Sequence, residues 1–192
     1  AGGTDTATVS GTVMAINDPP VAMNDSFTTN EDTAVTLLAL TNDSDIDGPG
    51  LRVQDFTVGS VKYAAGSTAT LPGVGTLVIR TDGSWTFTPA PDFHGAVPPI
   101  TYTATDGSAT SSAGLNIDIT PVNDAPTANP DTYVTPEDTA VAIPVAVNDT
   151  DPDGDRLTPT SVNGQPIALG GSVTLTDPAT GAPQGVVTLS PA

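Results

Sequence analysis

The chain repeats itself at an offset of 106 residues, and this register constrains its fold more than any other feature. NDPPVAMNDSFTTNEDTAV at 17–35 aligns with NDAPTANPDTYVTPEDTAV at 123–141. The alignment runs without a gap from Asn17/Asn123 to Val53/Pro159, and 17 of those 37 pairs are identical. Every acid of the first copy meets the same acid in the second: Asp18/Asp124, Asp25/Asp131, Glu31/Glu137, Asp32/Asp138, Asp43/Asp149, Asp45/Asp151 and Asp47/Asp153. Apolar positions between them drift, as interchangeable core residues do. The acids do not drift.

The register sets the expected boundaries. Residues 17–122 read as one complete unit. TLSPA at 188–192 aligns with TFTPA at 86–90, so residues 123–192 read as a second unit, truncated before its last two strands. ATVSGTVMAI at 7–16 stands where AGLNIDITPV stands at 113–122, so residues 1–16 read as the last strand of a preceding repeat. No signal peptide opens the chain, which starts in mid-pattern. The simplest reading is a window on a longer tandem array.

Alternation of apolar and polar residues, with Val and Thr prominent, predicts strands rather than helices. In the complete unit they are expected near 21–29, 33–40, 51–58, 75–80, 85–88, 100–105 and 113–120. RTDGSW at 80–85 and TDGSAT at 105–110 read as hairpin turns, with Asp82-Gly83 supplying positive-φ positions in the first. Seven short strands, 19 Gly, 19 Pro and no helical periodicity predict an all-β chain of tandem immunoglobulin-like seven-stranded β-sandwiches. Trp85, Phe87, Phe93 and Tyr102 are the expected large core residues. With no cysteine, no disulfide pins the sheets and no thiolate holds a metal.

Charge narrows the function. Four Lys and Arg face 22 acids, for a net charge of −18. Repulsion disfavours binding to a nucleic-acid backbone. No run of 18 apolar residues is present, so no membrane insertion by this segment is expected. All but two of the acids are Asp, and short carboxylates in loops suit a hard cation whose oxygens must converge on one point.

Strand direction predicts where the acids meet. If successive strands alternate in direction, Asn17, Asp18, the loop Asp43, Asp45 and Asp47, and Asp106 collect at one end. Glu31 and Asp32 lie in the first turn, at the other end. There they are expected to face the linker Asn123-Asp124 and the loop Asp149, Asp151 and Asp153 of the next unit. Unpaired, such a junction repels itself; Ca2+, which takes 6–8 oxygen ligands at about 2.3–2.6 Å, reverses the sign. DSDIDG resembles the start of an EF-hand loop, but the twelfth position holds Gln54 in one copy and Thr160 in the other, and no helical pattern flanks either. The ligands are therefore expected to be shared between loops and linker. The plainer alternative is a solvated turn with Asx caps, and turn chemistry alone accounts for Asp82 and Asp106.

NDAP at 123–126, EDTAV, NDTDPDGD, DGSWTFTPAPDFHG at 82–95 and TYTATDG at 101–107 resemble the bacterial Ig-like, cadherin-like repeats of giant surface adhesins, including RTX-type extender repeats. The resemblance covers nearly the whole chain. It implies a cadherin-like β-sandwich, an extracellular place on the bacterial cell surface or in a secreted fibre, and a spacer role with Ca2+ at the junctions. Its ligand logic falls on Glu31, Asp32, Asn123, Asp124, Asp149, Asp151 and Asp153. Two departures stand out: Pro49 occupies the position of Asp155, and the insertion at 61–73 is long.

No catalytic constellation is expected: His94 is the one histidine, and no carboxylate pair lies in an evident cleft. Lys62, the sole lysine, cannot serve a crosslink repeated in every unit. The expected partners are neighbouring repeats of the same chain and other copies in a fibre. One alternative is a glycan- or protein-binding module acting through 59–73 or 91–99. Another is strand complementation, with 7–16 donated to a neighbouring copy.

Overall fold

The computed structural model describes residues 1–48, 50–136 and 138–190. Pro49, Glu137 and the last two residues of the TLSPA match lie outside the described residues. The chain divides into two compact units, Ala1–Val122 and Asn123–Ala192. No helix occurs among the described residues.

Unit 1 is a two-sheet sandwich. Its strands are β1 (Asp25–Asn30), β2 (Val35–Leu38), β3 (Arg52–Val58), β4 (Val61–Ala64), β5 (Thr68–Leu71), β6 (Gly75–Ile79), β7 (Ser84–Pro89), β8 (Gly95–Ala96), β9 (Ile100–Thr105) and β10 (Thr110–Thr120). One sheet has the order β1-β10-β9-β3-β4, with β8 also on β10; the other has the order β2-β7-β6-β5. The seven runs marked by alternation each overlap one of these strands, whereas β4, β5 and β8 lie outside those runs.

The span 59–73 is thus not a free loop. Val61–Ala64 pairs with β3, and Thr68–Leu71 pairs with β6, so the long insertion adds an edge strand to each sheet. Part of 91–99 likewise pairs with β10 through Gly95 and Ala96. The pattern at 61–71 is short and broken by Gly66, so its alternation is visible only once the neighbouring strands are in place.

Alternation does set which side chains face inward. On β7, Trp85 and Phe87 are buried between more exposed Thr86 and Thr88. Trp85, Phe87, Tyr102 and Phe56 are almost fully enclosed, whereas Phe93 is only partly buried against the core. Phe56 is not among the expected core residues; its ring stacks on Tyr63 of β4, with centroids 5.3 Å apart. Phe27 of β1 meets the edge of Trp85 across the sandwich at 5.8 Å, joining the two sheets.

The 80–85 turn is a hairpin, but only Gly83 has positive φ (82°). A Cβ there would lie 2.6 Å from Leu40 Cγ, so glycine is required by packing as well as by the backbone. Asp82 instead acts through its side chain. Its Oδ1 accepts the Ser84 N–H at 2.9 Å and the Ser84 hydroxyl at 2.6 Å.

Unit 2 has far less regular structure. Its strands are β11 (Ser161–Val162), β12 (Gln165–Pro166), β13 (Ser172–Thr176) and β14 (Pro183–Thr188), paired as two hairpins. No residues of unit 2 align with 91–122, the span that supplies β9 and β10 in unit 1. Among the described residues of 123–160 only the isolated Thr127–Thr150 bridge stands where β1, β2 and β3 stand in unit 1. Residues 7–16 carry no strand either, and Val9, Val13 and Ile16 stand exposed.

Candidate metal centre at the repeat poles

The entry pole of unit 1 is assembled by backbone pairing before any side chain is considered. Val21 and Ser44 exchange hydrogen bonds at 2.8 and 3.1 Å, tying the lead-in to β1 onto the loop after β2. That bridge brings the acidic loop to the linker. Asp47 Oδ2 accepts the Asp18 N–H at 2.6 Å, and Asp43 Oδ1 accepts the Met23 N–H at 2.8 Å. Asp45 Oδ1 accepts the Asp47 N–H at 2.8 Å, which curls the loop on itself. Asn17 donates through Nδ2 to Asp106 Oδ2 at 2.8 Å, across 89 residues of sequence. Asn17, Asp18, Asp43, Asp45, Asp47 and Asp106 thus belong to one end of the sandwich.

The same corner recurs in unit 2. Thr127 and Thr150 exchange hydrogen bonds at 2.8 and 3.0 Å, at the 106-residue offset from Val21 and Ser44. Asp153 Oδ2 accepts the Asp124 N–H at 2.7 Å, Asp149 Oδ1 accepts the Asn129 N–H at 2.7 Å, and Asp151 Oδ1 accepts the Asp153 N–H at 3.0 Å. Asn123 turns its amide onto the Asp124 carbonyl at 2.8 Å, as Asn17 does onto the Asp18 carbonyl at 3.0 Å. Asp155, without an acidic mate in unit 1, donates its N–H to Asp151 Oδ1 at 3.2 Å.

Glu31 and Asp32 lie at the far end of β1, about 20 Å along a six-residue strand from this corner. Glu31 is only 4% exposed, and its Oε1 accepts the Val122 N–H at 2.6 Å. Its Oε2 stands 3.7 Å from His94 Nδ1. Asp32 takes a positive φ of 55°, as its counterpart Asp138 does at 59°. Asp32 Oδ1 accepts the Asp92 N–H at 3.3 Å. Nothing in the sequence marks Asp92, because the second copy has no span aligned to it and so no register singles it out.

Asp25 also belongs to the entry pole, and its pairing with Asp131 in the repeat is the sequence signal for it. The Tyr102 hydroxyl lies 3.0 Å from each oxygen of Asp43, 3.0 Å from the Met23 carbonyl and 3.3 Å from the Ala39 carbonyl. One O–H proton therefore faces four acceptors. Burial pushes the Tyr102 hydroxyl far up from its ordinary value, and the charges of Asp25 and Asp43 add to the rise. Burial also raises the Asp25 carboxyl, with the Asp43 charge adding to it and the polar groups of Tyr102 and Asn42 acting against it. At the exposed Asp106, backbone N–H groups of Ala109 and Ser108 hold the carboxyl below its ordinary value.

Two carboxylate oxygens, Asp25 Oδ2 and Asp45 Oδ2, are buried without a hydrogen-bond partner. Buried acceptors of this kind cost stability until a proton or a cation meets them. Carboxylate, amide and backbone oxygens make up the rest of the corner, the ligand set of a hard divalent cation.

Fold and site together define an all-β, immunoglobulin-like repeat with acidic ends. The chain belongs to the bacterial cadherin-like domain family, which it matches over residues 17–121; residues 123–192 match the bacterial Ig domain family. Domains of these families are typically non-catalytic and usually extracellular or surface-exposed, and cadherin-like domains commonly bind calcium. No described helix is long and apolar enough to cross a membrane. No curated protein matches the chain. Among solved structures, the Ig-like domain of human leucine-rich repeat-containing protein 4 is 14% identical, with a TM-score of 0.34 over 60% of this chain and 99% of that one. An endo-fucoidan hydrolase of glycoside hydrolase family 107 is 19% identical, with a TM-score of 0.33 over 57% of this chain and 16% of that one. The N-terminal four Ig domains of Dscam1 are 14% identical, with a TM-score of 0.33 over 57% of this chain and 26% of that one.

Proposed function

We propose that the protein is a non-catalytic extender segment of a bacterial cell-surface adhesin or extracellular fibre, stiffened by Ca2+ held at its acidic poles. The observation that carries this reading is the recurrence of one corner in both units. Asp47 and Asp153 cap the linker N–H groups of Asp18 and Asp124, while Asp45 and Asp151 curl the loop. A solvated turn has no need to reproduce linker and loop together. Ligands would come from Asn17, Asp18, Asp45, Asp47 and Asp106 at one pole, and from Asn123, Asp124, Asp151 and Asp153 at its repeat. Asp43 and Asp149 brace the loop from within through the Met23 and Asn129 N–H groups. Glu31 and Asp32 offer carboxylates at the other pole of unit 1.

The physical role of the cation is to cancel repulsion. Several carboxylates gathered at one end disfavour order there, and a divalent ion replaces that repulsion with shared coordination. Neighbouring repeats are the natural partners of such a pole. Small-angle scattering of the full chain, in Ca2+ and in EDTA, tests the reading. The maximum dimension should be longer and better defined in Ca2+. An identical dimension in both buffers would sink the stiffening claim. The paired variant Asp45→Asn/Asp151→Asn should raise the Ca2+ concentration needed for the change.

A further inference from the structure

We infer that residues 7–16 of one copy add to unit 2 of a second copy as the strand that β10 supplies in unit 1, joining chains head to tail. Donor and acceptor match in register. At the 106-residue offset, Ala7–Ile16 stands on Ala113–Val122, so Val9 and Val13 take the places of Leu115 and Ile119. Those two side chains are each 2% exposed in the core of unit 1, whereas Val9 and Val13 are 93% and 95% exposed. Thr8, Ser10 and Thr12 take the places of Gly114, Asn116 and Asp118, on the less buried face of β10. The segment thus has the alternation of a core-facing strand but forms no strand of its own.

The acceptor is an open groove of about 480 Å3 in unit 2, whose lining includes Val145, Pro159 and Leu189. These align with Ala39, Val53 and Phe87, which are at most 1% exposed in unit 1. There, β10 helps to close the same core with Leu115, Ile117 and Ile119. Carried over by the offset, the β1–β10 register sets Asp131–Pro136 beside Val9–Met14 of the donor. Gly11 then lies opposite Tyr133, which is 48% exposed and free to cover it, as aromatic cross-strand neighbours cover a glycine. Main-chain pairing supplies the affinity, and the place of β9 stays open. The donor belongs to a second copy because the two segments leave unit 1 at opposite ends. Asn17, next to the donor, is held to Asp106 at the entry end, and Val122, next to unit 2, is held to Glu31 at the other. Charge permits the approach: residues 6–16 carry none, in a chain of net charge −18. The two patches differ, so the contact is heterologous and open-ended.

Sedimentation of the full chain over a concentration series tests the inference, in EDTA so that no cation bridges the acidic poles. The mass should climb from 19.1 kDa in steps of one chain. Val9→Asp/Val13→Asp places two charges on the core-facing side and should hold the mass at one chain. Thr8→Asp/Thr12→Asp adds the same charge to the other side and should still assemble. Trp85 fluorescence checks that unit 1 stays folded in both variants. The chain has no cysteine, so Ser10→Cys/Thr132→Cys, on the rung carried over from Ser26↔Asn116, introduces the only thiols. Oxidised glutathione should then link position 10 of one copy to position 132 of the next, read by mass spectrometry of the cross-linked peptide. A single-chain mass at every concentration would overturn the inference. Assembly that survives Val9→Asp/Val13→Asp would also overturn it, assigning the contact to another surface. A link between positions 10 and 132 of one and the same chain would do so as well, making the segment its own occupant.

Discussion

Units 1 and 2 share a corner but not a sandwich. Around Asp43–Asp47 and Asp149–Asp153 the backbone bridge and its caps agree to within a few tenths of an ångström. Beneath them, unit 1 buries Trp85, Phe87, Phe56 and Tyr102, while unit 2 buries only Ile167 and Val173 among its described apolar residues. The difference separates two kinds of encoding. The corner is built mostly from residues within about 30 positions of one another, so a linker and a loop suffice. The sandwich needs β9 and β10, which lie 42 to 90 positions from their partners in β3 and β1.

Breaking the core of unit 1 should narrow the difference most. Phe56→Ala removes an enclosed ring and its stack on Tyr63, which should cost unit 1 about 3–5 kcal/mol. Trp85, the only tryptophan, sits in unit 1 and reports its melting by fluorescence. An unmoved transition in urea would mean that unit 1 does not fold around this cluster.

A smaller effect is expected where the corner meets the core. Tyr102→Phe keeps the ring but removes the one hydroxyl that faces Asp43 and the Met23 and Ala39 carbonyls. The loss should be about 1–3 kcal/mol, the range for leaving buried acceptors unmet. Unit 2 has no residue aligned with Tyr102, so its corner should be insensitive, and backbone amide exchange at Asp153 checks that. Faster exchange there would show that the two corners are not independent.

The smallest expected effect is a pH dependence confined to unit 1. Burial raises the folded-state pKa of Asp25 above its unfolded value. Its contribution is therefore fully present below the unfolded pKa and is lost as pH rises through the folded one. Asp25→Asn carries no charge to lose. Its urea midpoint should exceed that of the wild type at neutral pH, and the gap should narrow on acidification. A gap that widens toward low pH would reverse the sign assigned to Asp25.

Much of this is legible in the residues. Glycine turns at Gly83 and Gly107 place two hairpins, and alternation in 84–89 and 100–105 marks which side chains enter the core. The common register picks out the loop acids and the linker pair. Less legible are β4 and β5, whose short runs gain their partners from β3 and β6. Asp92 has no aligned copy, and the Lys62–Asp55 ion pair of 2.8 Å joins β4, hidden in the sequence, to β3, which alternation reveals.

By itself the sequence determined the repeat, the β class, the turns and the chemistry of the poles, because each rests on local spacing or on internal repetition. Only the tertiary structure decided that Tyr102 closes over Asp43, that Glu31 is buried against Val122, and that β1 lies parallel to β10. Those contacts join residues 59 to 91 positions apart. No local preference selects such partners; they follow from how two sheets pack their apolar faces and satisfy every backbone group left at the edge.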